Sequence, residues 1–157
     1  MLPLEAERPG GKLASGHSHR RDTYNALFLT GGGAQATWLF ESNGNLIHSL
    51  HPLQQRIDGN WTGPSAALYI EYTAADTNGD NEIDEADTFT VALAKLDGTG
   101  RKDLLQDVKR VISLDLIDEQ TLALVYQIDQ TIWHGRYRTA TFAKVSEQSV
   151  IQVPERL

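Results

Sequence analysis

A chain of 157 residues suits one domain and is long enough to bury a real core. Its formal net charge of −7 argues against nucleic acid as a partner, and the lack of cysteine excludes a disulfide framework and thiol chemistry. No apolar run approaches the roughly 20 residues of a membrane helix, so no membrane span is expected.

In chain order, residues 1–22 read as a flexible N-terminal arm, because Pro, Gly, Ser and charge dominate and no period emerges. The start of the chain lacks the apolar core of a signal peptide. That points to the cytoplasm, or to the cell envelope or periplasm if a leader is missing from this chain. A single β-rich domain is expected over 23–157. Its first runs, NALFLT at 25–30 and QATWLFES at 35–42, flank the GGGA turn at 31–34 and read as a hairpin. After a turn at 43–45, LIHSLHPL at 46–53 reads as a third strand. The segment 54–64, QQRIDGNWTGP, is punctuated by Gly and Pro and reads as a loop.

AALYIEY at 66–72 then enters an acidic stretch, and TFTVALAKL at 88–96 leaves it. In the second run Phe89, Val91 and Leu93 alternate with Thr88, Thr90 and Ala92, the period of a half-buried strand. DGTG at 97–100 is an Asp-Gly hairpin turn. Strand-like runs follow at 101–105 and 108–117, then TLALVY at 121–126 and TIWHGRYRTATF at 131–142, with SVIQV at 149–153 as a last edge strand.

The acidic stretch carries the only spacing with specific chemistry. Counting Asp76 as position 1, side-chain oxygens fall at Asp76, Asn78, Asp80, Asp84 and Asp87, positions 1, 3, 5, 9 and 12. Glu82 at position 7 offers its backbone carbonyl, and apolar Ile83 at position 8 can anchor the loop to the core. Alternate side chains of a curling loop converge on one centre, and a hard Ca²⁺ ion takes six to eight oxygens. Six acids stand in these twelve residues with no Lys or Arg among them, and a divalent cation would offset their repulsion. The competing reading is a solvated acidic turn. Position 6 is Asn81, where an EF-hand carries Gly, and position 12 is Asp87 rather than Glu, so modest affinity is expected. The clustering of Tyr, Ile, Thr, Phe and Val on both sides favours strands around the loop, although Phe89, Ala92, Leu93 and Leu96 also match helical spacing.

Two stretches, VALAKLDGTGRKDLL at 91–105 and LIDEQTLALVYQ at 116–127, are similar to TolB-type β-propeller blades. The acidic loop resembles the calcium loops of dockerins and of integrin-type propellers. Together these likenesses cover about half the chain. They imply a mainly β fold of antiparallel sheets, a partial propeller or a sandwich, with an EF-hand-like loop between strands. A closed propeller needs at least four blades of roughly 40 residues, a length this chain barely reaches.

Other chemistry is sparse. The histidines are His17, His19, His48, His51 and His134, and packing or exposed roles are expected over a shared metal. The chain carries no GxSxG, HExxH or P-loop. Trp38, Trp61 and Trp133 read as core or edge packing rather than a ligand platform. The favoured function is a noncatalytic calcium-binding β domain, its ion ordering an acidic loop and its partner a protein or small ligand. The alternatives are a calcium-responsive helix-loop-helix module and a calcium-dependent hydrolase.

Overall fold

The computed structural model describes residues 2–6, 22–62 and 65–155. Among them there is no α-helix, only a three-residue 3-10 turn at Gly31–Gly33. The described residues form twelve strands: β1 (Leu2–Ala6), β2 (Asp22–Thr30), β3 (Gln35–Trp38), β4 (Leu46–Pro52), β5 (Gln55–Ile57), β6 (Asn60–Thr62), β7 (Leu68–Thr73), β8 (Phe89–Ala94), β9 (Lys102–Asp118), β10 (Thr121–Ile128), β11 (Thr131–Arg138) and β12 (Lys144–Gln152). Ten of them form one open antiparallel sheet in the order β1-β2-β4-β7-β8-β9-β10-β11-β12, with β3 beside β2. The sheet is continuous and is not divided into blades around a channel.

This open sheet buries itself. On β7, Leu68, Ile70 and Tyr72 join one apolar cluster while Tyr69 joins another; on β8, Ala92 and Ala94 join the first while Val91 and Leu93 join the second. Successive strand residues point to opposite faces, so the two clusters lie on opposite sides of β7 and β8. Val91, Ala92, Leu93 and Ala94 are all 0% exposed. A flat single layer would leave both faces wet, so the sheet must fold back on itself, in opposite directions at its two ends. The first cluster takes Ala26 and Phe28 from β2 and Ile47 from β4. The second takes Leu105 and Val108 from β9, Leu122, Leu124 and Tyr126 from β10, and Tyr137 from β11. The half-buried reading of β8 is thereby corrected: both of its faces are core.

The bend comes from β9. The two runs at 101–105 and 108–117 belong to this one 17-residue strand, whose first half pairs with β8 and whose second half pairs with β10. Its register slips at several points on both sides, and Asp107 sits at φ 56°. Each extra residue is a bulge that bends the strand and increases its twist. The exposed Ile112 and Ile117 fall where the register with β10 slips, between Ser113 and Val111 and between Asp118 and Leu116.

Three further expectations change. Leu2–Ala6, read as part of a loose arm, pairs with β2; residues 7–21, with His17 and His19, lie outside the described residues. The 54–64 loop contains the β5–β6 hairpin. Its Asp58-Gly59 turn has φ 50° and 80°, the doubly positive geometry of a tight hairpin that this dipeptide favours. The run 131–142 stops being a strand at Arg138; Phe142 then turns its ring back into the core from a φ of 59°. The final strand starts earlier than expected, at Lys144, and is fixed to the core where the Tyr126 hydroxyl donates to Glu147 Oε2 at 2.6 Å.

Candidate functional site

The loop 76–87 joins β7 to β8, two neighbouring strands buried on both faces. Strands, not helices, stand on either side of it. Asp and Asn side chains fold the loop by accepting backbone N–H groups a few residues ahead, the habit that makes them turn formers. Asp76 accepts from Gly79 N–H at 2.6 Å through one oxygen and from Asn81 N–H at 2.8 Å through the other. Asn78, Asp80 and Asp84 accept from the N–H groups of Asp80, Glu82 and Ala86 at 2.9, 2.9 and 2.8 Å. Asn81 holds φ 68°, the left-handed conformation that position 6 of an EF-hand loop demands of its usual Gly. Ile83 is half-buried.

Asp87 organises the loop's closing end. It is the one buried acid of the loop, at 4% exposure. Its Oδ1 accepts from Thr77 N–H at 2.6 Å, Thr77 Oγ1 at 3.0 Å and Asn78 N–H at 3.2 Å, and its Oδ2 accepts from Asp84 N–H at 3.0 Å. Thr77 Oγ1 in turn accepts from Thr88 N–H at 2.9 Å, which clips the two ends of the loop together. Sequence spacing assigned Asp87 to an ion alone. The fold gives it this internal duty, with Oδ2 the less crowded of its two oxygens.

The residues Asp76, Asn78, Asp80, Glu82, Asp84 and Asp87 are thus gathered in one loop. Among the described residues, however, no three His, Asp or Glu groups are drawn together tightly enough to hold a metal ion. The donor set is entirely oxygen, the kind a hard cation takes. One hydrogen bond leaves a carboxylate oxygen a further lone pair, so amide capping and ion binding are compatible at Asp76, Asp80 and Asp84.

The N–H of Asp84, then that of Thr77, hold the Asp87 carboxyl below its ordinary 3.8. A depressed folded-state value means stability that is present above the ordinary value and lost as pH falls through the lower one. In chelator, urea midpoints should therefore fall from pH 5 toward pH 2 more steeply in wild type than in Asp87→Asn. Equal slopes would show that this carboxylate is not linked to folding.

The remaining histidines and tryptophans have separate places. His48 Nε2 meets Thr73 Oγ1 at 2.6 Å, and His51 lies 5.2 Å from the Tyr69 ring. Trp133 packs against the second core cluster, whereas the side chain of Trp61 lies outside the described residues. Trp38, on the edge strand β3, is 50% exposed and lines a cleft of about 490 Å³ between the segment after β3 and the 97–100 turn. No family model matches this chain, and neither a curated protein nor a solved structure is similar to it.

Proposed function

We propose that the chain is a noncatalytic β domain in which a Ca²⁺ ion orders the 76–87 loop and ties β7 to β8, in the service of protein or small-ligand binding. One observation carries this reading. A loop with oxygens at positions 1, 3, 5, 9 and 12 adopts the left-handed turn at position 6, with Asp76 accepting the N–H of that same residue. Asp76, Asn78, Asp80, Asp84 and the Glu82 carbonyl would hold the ion, and Asp87 would add its Oδ2 while its Oδ1 keeps the loop closed. The loop carries six acids and no Lys or Arg, so the ion would relieve a repulsion that the internal amides only partly offset. Because strands flank the loop, the ion's part is ordering rather than the reorientation of a helix pair.

The test is calorimetric titration of chelator-stripped protein with calcium. One site of modest affinity, of order 10⁻⁴–10⁻³ M, is expected. It should vanish in an Asp76→Ala, Asp80→Ala double variant. Calcium at ten times its Kd should stabilise the wild-type fold by about 1.4 kcal/mol, because it binds the native state alone. Absence of heat up to millimolar calcium would reduce the loop to an acidic turn held by its own amides.

A further inference from the structure

We propose that the cleft beside Trp38 binds a neutral sugar ring. Its volume of about 490 Å³ falls within the range of about 300–1,000 Å³ typical of small-ligand sites. Three features select the ligand. Trp38 lines the cleft and is half exposed. A flat apolar ring with a polar N–H at its edge suits a partner that is apolar on one face and polar around its rim, as a pyranose is.

Arg101 is the second feature. Its guanidinium carbon stands 5.0 Å from the Phe40 ring centroid and 5.4 Å from that of Tyr72, and the two rings are themselves 4.8 Å apart. Nη1 donates to the Tyr72 hydroxyl at 2.8 Å and to Asp103 Oδ1 at 2.6 Å. The planar fork is therefore held before any ligand arrives, so little rotamer freedom is lost on binding. The N–H groups on Nε and Nη2 donate to no acceptor among the described residues. They are left to meet ligand hydroxyls.

Charge is the third. Asp103 compensates Arg101 at 2.6 Å, Glu41 also lines the cleft, and the chain as a whole carries −7. An anion would meet the Glu41 carboxylate, an Arg101 already compensated by Asp103, and an unfavourable long-range field. A neutral polyol can instead donate to Glu41 and accept from Arg101, while Ser42 and Asn45, which also line the cleft, each donate and accept. The 40–43 wall is rigid, since the buried Asn25 amide binds Phe40, Ser42 and Asn43. Nothing in this argument passes through the calcium loop, so binding is expected in calcium and in chelator alike.

The test titrates the full chain with maltotriose, cellotriose and chitotriose, and with digalacturonate as the anionic control, by calorimetry and tryptophan fluorescence. Saturable binding of at least one neutral trisaccharide is expected. Trp38→Ala should weaken it about tenfold or more at an unchanged Tm, the ring being half exposed. Arg101→Lys, which keeps the charge and loses the fork, should weaken it as well. The proposal fails if no neutral sugar saturates at concentrations of order 10 mM, a Kd beyond any useful affinity. Undiminished binding in both variants would overturn it too. Tighter binding of digalacturonate than of the neutral sugars would reassign the cleft to carboxylates.

Discussion

Gly98→Ala should cost the fold about 3 kcal/mol, the sum of backbone strain and overpacking. Gly98 turns the chain from β8 toward β9 at φ 82°, where an L side chain is strained. Its Lys95-to-Thr99 frame is fixed by hydrogen bonds from Gly98 N–H to Lys95 C=O and from Lys95 N–H to Thr99 C=O, both 2.9 Å. A Cβ at Gly98 would collide with the Phe28 ring at Cδ2. That ring is 4% exposed and belongs to the core cluster shared with β7 and β8, so it has little room to retreat. Gly100 is the internal control. It has φ 65°, yet an added Cβ there would meet only the Lys95 chain at 3.5 Å. Gly100→Ala should therefore show the backbone part alone, about 1 kcal/mol. Urea unfolding of both variants measures the difference. In Phe28→Leu the smaller side chain should absorb part of the Gly98→Ala cost, giving a favourable coupling in the double-mutant cycle. Equal losses at the two glycines would mean that the contact between the turn and β2 is not formed in solution.

Asn25→Ala should cost a similar amount, about 3 kcal/mol, through buried groups left without partners. Asn25 lies in β2 at 2% exposure. Its Oδ1 accepts from Phe40 N–H at 3.0 Å and Ala26 N–H at 2.9 Å. Its Nδ2 donates to Phe40 C=O at 3.0 Å, Ser42 C=O at 3.4 Å and Asn43 Oδ1 at 3.1 Å. After the Leu39 N–H bond to Ala26 C=O, this one amide takes over from the backbone ladder along the irregular 40–43 segment. Truncation strands both polar groups of Phe40 next to the apolar cluster that holds its ring. Asn25→Asp keeps the acceptors, loses both N–H donors and buries a charge, so it should also destabilise. Hydrogen exchange at the Phe40 amide should accelerate before the amides of β7 and β8 do. Global loss without this local opening would remove Asn25 as the holder of the cleft wall.

Local patterns fixed much of the architecture in advance. The β-branched and aromatic runs gave β2, β4, β7, β8 and β10 close to their observed bounds, because pleated, buried strands favour those side chains. The Gly-rich turn at 31–34 and the DGTG turn at 97–100 were legible because only certain residues tolerate positive φ. The Asp58-Gly59 hairpin was equally legible in principle, yet the surrounding Gly and Pro masked strands of three residues each. The spacing of Asp76, Asn78, Asp80 and Asp84 singled out the loop, and Asn81 takes the left-handed conformation that spacing required.

Tertiary structure decided the rest. Periodicity made β8 half-buried, but the bulges of β9 curl the sheet over one face while β2 and β4 cover the other, and no local window encodes that closure. The loop-closing hydrogen bonds of Asp87 depend on Thr77, ten residues back, and the cleft depends on bringing Trp38 to Arg101 across the fold. The sequence by itself therefore determined most of the longer strands and where an oxygen-rich loop stands, since side-chain period and turn preference act over a few residues. Only the folded sheet decided which faces are dry, which carboxylate is buried and which tryptophan faces water, because burial depends on residues far apart in the chain.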